Sequence, residues 1–296
     1  MREQAEAVQR MQDYIEAHLS EPVTLRQLAS AAGYSPWHAT RLFREMVGIS
    51  PLEYLRARRL SRAALRLRDS DDRVLDIALQ YAFDSHEGFT RAFSSRFGIA
   101  PGSYRKNAPP IPLFMPRSAR DSFLIENAEG ATKMNNANTV FIQATDRPAR
   151  KMVVQRGKKA SGYWEYCEEM GCDVEGVLAS IKGALGEIVG LWMPQGFRPA
   201  GTSEYVMGVE VPADFTGPVP EGMELLELPA ATYLHFQGEP YREEEMGQAC
   251  AMLDNAFEGY RPERFGWAWA DELGPTVQYA PVAERGCALA RPVKKL

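Results

Sequence analysis

The sequence predicts two unlike halves: an all-α half built on two helix-turn-helix copies, then an α+β half with a pseudo-twofold sheet. Three observations predict this. Composition breaks at Asn107-Ala108-Pro109-Pro110-Ile111-Pro112, where three prolines within four residues end any helix. Residues before the break repeat themselves at an offset of about 50. After residue 139, strand-like and helix-like patterns alternate.

The 296 residues suit two domains of roughly 100–200 residues each. A 45% apolar fraction excludes a mainly disordered chain. No apolar run approaches the ~20 residues that span a bilayer, so no membrane association is expected. The start, MREQAEAVQR, is charged and lacks the apolar stretch of a signal peptide. With four cysteines in a chain this long, the expectation is a reducing cytoplasm, not a disulfide framework. Net charge is −5, but residues 1–108 hold 16 basic and 13 acidic residues (+3), and the remainder 18 and 26 (−8). The average hides a mildly basic half, but +3 is modest for a nucleic-acid binder, so binding should rest on where the arginines sit.

In order along the chain, Val8, Met11, Ile15 and Leu19 recur at helical spacing. Thr24-Leu25-Arg26-Gln27 is a capping box that opens a short helix, and Gly33 closes it. Ser35-Pro36 opens the next helix, with a hydroxyl N-cap ahead of a first-turn proline, and Val47-Gly48 ends it. The pair makes a helix-turn-helix. Leu28-Ala29 and Gly33-Tyr34 then match Ile77-Ala78 and Ala82-Phe83 at an offset of 49. Arg41, Phe43, Gly48-Ile49, Pro51 and Tyr54 match Arg91, Phe93, Gly98-Ile99, Pro101 and Tyr104 at an offset of 50. Asp84 and Glu87 are read as a second box-like helix start. Leu42, Phe43 and Met46, and in the second copy Phe89, Phe93 and Phe97, supply the inward faces.

The outward faces carry the chemistry. Trp37, Thr40, Arg41 and Arg44 form one stripe, with Ser35 at its start. His86, Glu87, Thr90 and Arg91 form the second, beside Ser94. Arginine can fork onto guanine, Thr or Trp can pack on a thymine methyl, and Glu can accept from cytosine. A plain helical bundle with a duplicated core is the competing reading of the repeat. The stretch joining the copies holds Arg56, Arg58, Arg59, Arg62, Arg66 and Arg68, a solvated face or in part a phosphate-contacting one.

Gly33-Tyr34-Ser35-Pro36-Trp37-His38 with Arg41-Leu42-Phe43-Arg44 resembles the first half of an AraC/XylS-family DNA-binding domain, nearest its MarA/SoxS/Rob subgroup. Residues 74–81, Phe83-Asp84-Ser85 and Phe89-Thr90-Arg91-Ala92-Phe93 resemble its second half. The resemblance implies a monomer whose recognition helices enter two adjacent major-groove segments of double-stranded DNA, about one turn apart. It implies an activator that works with RNA polymerase, and it assigns Trp37, Thr40 and Arg41 to one segment and His86, Glu87, Thr90 and Arg91 to the other. This chain has His86-Glu87-Gly88 where close relatives often carry Gln-Gln-Thr.

Residues 109–138 read as a linker, polar and Gly/Asn-rich from Asn127 to Asn138. In residues 139–296, strands are expected at 140–142, 151–154, 205–211, 223–228, 232–236 and 287–292, and helices at 174–185 and 243–257. The segments 223–228 and 232–236, flanking Pro229-Ala230-Ala231, are read as a strand pair. Four of the five tryptophans lie in this half. Trp164, Tyr205, Trp267, Trp269 and Tyr279, with Glu204 and Glu210, are the candidate pocket for an aromatic or cationic small molecule. The phrase 222–233 and the closing Arg291-Pro292-Val293-Lys294 resemble a GyrI-like small-molecule-binding domain. Relatives often place a glutamate four residues before the final proline, where this chain has Ala288, leaving Glu204, Glu210 and Glu272 as available carboxylates. Some GyrI-like domains are hydrolases that use a glutamate with a tyrosine. The alternatives are therefore a ligand-sequestering or hydrolysing protein, or a protein-interaction domain, with DNA binding secondary. No Ser/His/Asp arrangement and no phosphate-cradling glycine loop is visible, so no catalytic residue and no cofactor is assigned. Cys167 and Cys172 lack a matching pair, and Cys250, Cys287, His18 and His235 are scattered, so no metal is assigned either.

Overall fold

The computed structural model describes residues 2–116, 139–171 and 173–296. By its internal contacts the chain divides into two units, 1–127 and 128–296. Among the described residues the first unit contains helices only: α1 (Arg2–Ala17), α2 (Leu25–Ala32), α3 (Pro36–Val47), α4 (Pro51–Asp69), α5 (Val74–Gln80), α6 (His86–Phe97) and α7 (Pro101–Asn107).

Local chemistry sets most of these boundaries. Thr24 and Gln27 close the capping box on α2, and Gly33 ends it at φ 75°. The duplication is visible in matching parts. Phe43 meets Tyr54 edge-on at 5.4 Å, and fifty residues later Phe93 meets Tyr104 at 5.6 Å. In the second copy one expected cap is replaced and one glycine position is held by alanine. The cap of α6 is Ser85, which accepts from the Gly88 N–H, and not the Asp84–Glu87 box. In the place of Gly33, Ala82 adopts the left-handed conformation at φ 55°.

The expected linker begins against this unit. Ile111 and Leu113 are buried. The Phe114 N–H donates to Ser61 Oγ (2.8 Å), and the Phe114 ring packs edge-on to Tyr54 at 5.1 Å. The rest of that segment, residues 117–138, lies outside the described residues.

The second unit is one antiparallel sheet with helices: β1 (Phe141–Arg147), β2 (Arg150–Arg156), α8 (Tyr163–Met170), α9 (Asp173–Ser180), β3 (Leu185–Trp192), β4 (Tyr205–Val211), β5 (Glu224–Leu228), β6 (Ala231–Gln237), α10 (Met246–Gly259), β7 (Trp267–Trp269), β8 (Thr276–Gln278) and β9 (Ala288–Lys295). Strand order is β1-β6-β9-β8-β3-β4-β2-β5, with β7 paired to β9. The order is the same read inward from either edge: edge strand, first strand of a strand-helix-strand-strand unit, its last strand, its middle strand. The two halves meet where β3 pairs β8 (Gly190 opposite Gln278). Sequence neighbours pair within each unit, β3 with β4 and β8 with β9, but not where the chain passes between units. β1 runs into β2 through Pro148-Ala149 yet pairs β6, while β5 runs into β6 through Pro229-Ala230 yet pairs β2. A proline without an N–H breaks the ladder at each crossing. The segments read as a strand pair around Pro229 are thus two strands exchanged between the halves.

The helix expected over 174–185 stops at Ser180, and Leu185 opens a strand that periodicity does not reveal. That strand is irregular: its register to β4 shifts between Leu185 and Val189, and Gly186 sits at φ 74°. One further expectation fails. Cys250 and Cys287 form a disulfide, with Cα atoms 5.4 Å apart, because α10 packs on the start of β9; a separation of 37 residues gave no sign of this contact.

Candidate functional site

The helical unit presents two matched, capped helices. Both α3 and α6 are 12 residues long, each begins on a serine that accepts from the N–H of the helix's third residue, and each ends on a left-handed glycine. Ser35 and Ser85 are therefore caps, at 3.4 Å from the His38 N–H and 3.1 Å from the Gly88 N–H. The caps fix where each helix starts, and so which side chains face outward.

On α3, Trp37 is 71% exposed. The Arg41 guanidinium lies 5.3 Å from the Trp37 ring centroid, and its Nε is 3.5 Å from Glu45 Oε1. The fork is thus held on an exposed aromatic plane instead of sweeping through solvent. Thr40 turns its hydroxyl inward to the Pro36 carbonyl (2.8 Å). Arg44 lies 3.8 Å from Glu53, whose carboxyl is held below the usual range by the Ser50 hydroxyl and N–H, with Arg44 adding to this. On α6, His86, Glu87 and Arg91 are exposed. The Thr90 hydroxyl is buried and has no hydrogen-bond partner among the described residues. Both threonines sit on the predicted stripes, but the Thr90 hydroxyl is turned from solvent and the Thr40 hydroxyl is spent on its own helix backbone.

The arginines of α4 are mostly committed to the fold. Arg58, 5% exposed, donates to Glu16 (2.5 and 2.8 Å) and to the Phe114 carbonyl (2.8 Å). Arg59 donates to the carbonyls of Leu19 and Glu21, and Arg62 lies 3.7 Å from Glu16. Arg66 pairs with Asp72 (2.6 Å) and Arg68 with Asp69 (2.7 Å). Arg56 is exposed and lines a groove with Leu52 and Arg59 on one side and Ser85 and Gly88, at the start of α6, on the other.

In the sheet unit the candidate pocket residues fall into separate neighbourhoods. Trp164 is 48% exposed on α8, edge-on to Tyr163. Tyr205 is fully buried against Tyr166 and Trp192, and its hydroxyl donates to Gln278 Oε1 (2.7 Å) across the midline of the sheet. Trp269 joins Phe236, Phe257 and Tyr260 under the Arg291 guanidinium, while Trp267 lies below Lys295. Glu204 is taken by Arg198 (3.2 Å) and Glu272 by Lys294 (2.6 Å).

Two candidates do meet, Glu210 and Tyr279, and they meet residues the sequence did not single out. Arg147 donates to Glu210 and lies 3.4 Å from the Tyr279 hydroxyl. Arg150, 4% exposed at its side chain, lies 3.7 Å from Glu210 and stacks over the Tyr233 ring at 5.0 Å. His235 packs near Tyr279 (5.7 Å), with Nε2 buried and unpartnered, and burial beside Arg147 pushes its pKa down. Burial pushes the Tyr233 hydroxyl up, and it too is unpartnered among the described residues. One carboxylate thus faces two guanidiniums, and Ala288 adds no second carboxylate. The signal available in sequence was the pair of arginines flanking Pro148-Ala149 at a strand crossing.

Residues 28–107 match a helix-turn-helix domain family. The chain is 43% identical over 106 residues to the transcriptional regulator Rob of Salmonella typhimurium, a match that covers 36% of this chain and 37% of that protein. It is 41% identical over 92 residues to the HTH-type transcriptional activator AarP of Providencia stuartii (31% of this chain, 68% of AarP). It is 36% identical over 93 residues to the multiple antibiotic resistance protein MarA of Salmonella typhimurium (31% of this chain, 73% of MarA). The chain therefore spans little more than a third of Rob, but over two thirds of AarP and MarA. With both helix-turn-helix copies in register and these identities across them, the chain belongs to the AraC/XylS family, within its MarA/SoxS/Rob subgroup.

Proposed function

We propose that the chain is a sequence-specific DNA-binding transcription regulator, an activator that works with RNA polymerase in the cytoplasm and binds its site as a monomer. The observation that carries this reading is the pair of capped, equal-length helices that expose Trp37 and Arg41 on one and His86, Glu87 and Arg91 on the other. Two arginine forks on two such helices suit two adjacent major-groove segments of one duplex. Arg56, beside the start of α6, is the residue of α4 best placed to meet a phosphate between them.

The sheet unit is read as a GyrI-like effector domain. Support comes from its mirrored strand order and from the Arg147–Glu210–Arg150 cluster beside Tyr233, His235 and Tyr279 on one face. Because Glu210 is already neutralised twice over, this face suits an aromatic effector better than a cation. The test is selection from random duplexes with the full chain: a salt-dependent consensus is expected, and failure to enrich any sequence rejects the reading.

A further inference from the structure

Helix α10 is lightly anchored. Of its 14 residues only Leu253 is fully buried; Ala249, Cys250 and Phe257 are half-buried against Leu234, Phe236, Leu289 and Val293. The covalent tie between this helix and the sheet is Cys250–Cys287. Cys287 sits just before β9, and its carbonyl accepts from the Gly238 N–H (2.9 Å) and from Gln237 Nε2 (3.2 Å) at the end of β6. The bond thus joins α10 to the place where two strands end. A groove of about 240 Å³ runs along the same helix, with Gln248, Ala249 and Met252 on one wall and Gly238, Pro240 and Tyr241 on the other. All four cysteines of the chain lie in this half, and the DNA-reading half has none.

We propose that Cys250 and Cys287 are a reversible thiol–disulfide site whose oxidation state sets how firmly α10 is held and how open its groove is. Cys250 is half-buried while Cys287 is 5% exposed, so an attacking thiolate reaches the Cys250 sulfur first. Reduction by a glutathione-class thiol then runs in two exchanges. The incoming thiolate forms a mixed disulfide with Cys250, and Cys287 leaves as a thiolate that takes up a proton. A second thiol attacks the mixed disulfide at its own sulfur, releasing Cys250 as a thiol and forming the reductant's disulfide. Two electrons and two protons pass to the protein; oxidation by the same disulfide is the reverse.

The test equilibrates the full chain in mixtures of reduced and oxidised glutathione, traps thiols by alkylation, and maps them by peptide apart from the other two cysteines. Hydrogen exchange is measured on the same samples. The pair is expected to pass from blocked to doubly alkylated as reduced glutathione comes into excess. Amides of Met246–Gly259 should then exchange about tenfold faster, with β2 and β4 unchanged. Cys287→Ser and Cys250→Ser should each show the fast hydrogen exchange of the reduced protein at every glutathione ratio, and reduced wild type gives the same reading if a variant does not fold. A bond that survives excess reduced glutathione, exchange indifferent to its state, or loss of the whole sheet unit on reduction would each overturn the proposal. None of these readouts depends on DNA or on an effector.

Discussion

At the residue scale, the structure separates side chains that build the fold from those left to act on a partner. Arg58 is the clearest builder: nearly buried, it satisfies its charge on Glu16, 42 positions away. Glu16→Ala removes both carboxylate acceptors, leaving only the Phe114 carbonyl, and should cost about 1.5–3 kcal/mol in urea unfolding of the helical unit. Ala82, left-handed where the first copy has Gly33, is a strained builder. Ala82→Gly should stabilise the same unit by about 0.5–1 kcal/mol, and a loss of stability would show that the conformation is not strained. His235 gives the sheet unit a pH dependence. Burial lowers its folded pKa below the ordinary 6.5, so the unfolded chain binds the proton more readily. The stability it favours is present above pH 6.5 and is lost as pH falls toward the folded pKa. A thermal midpoint that drops from pH 7 to 5.5, and drops less in His235→Gln, is expected. The caps Thr24, Ser35 and Gly48 were legible in sequence because capping acts over three or four residues. The partners of Arg58 and Glu210 were not, since strand exchange and helix packing bring them from 42 and 63 residues away.

At the element scale, α4 shows why a run of arginines is a poor guide. Its spacing marks an exposed basic face, yet Arg58, Arg59, Arg62, Arg66 and Arg68 are spent on carboxylates and carbonyls, leaving Arg56 at the groove beside α6. Replacing Arg56 by alanine should leave the melting temperature unchanged. It should reduce the slope of log affinity against log salt by about 1, measured by fluorescence anisotropy. β3 makes the opposite case. Its run Leu185 to Trp192 includes two glycines, and the pattern conceals a central strand. Gly190 has a packing reason for being there: a Cβ on it would fall 1.9 Å from the Tyr205 hydroxyl. Tyr205 can cross the midline to Gln278 only because that side chain is missing, a relation visible in three dimensions and silent in sequence.

At the scale of the whole molecule, the net charge of −5 averages two units with opposite biases. The helical unit could be read almost to its caps, because it is a duplication of local signals. In the sheet unit the strand content was legible, but the pairing was not. Adjacent strands are traded between halves at Pro148 and Pro229, and no periodicity records a trade. The duplication is expected to give two readers, each on its own major-groove segment. Hydroxyl-radical and methylation-interference footprinting of the full chain on its selected site tests this expectation most directly. Two protected major-groove segments on one face of the duplex, about one helical turn apart, are expected. Arg41→Ala should erase base preference in one segment and Arg91→Ala in the other, each costing about 1–3 kcal/mol. A single protected segment, or one unaffected by either change, would contradict it.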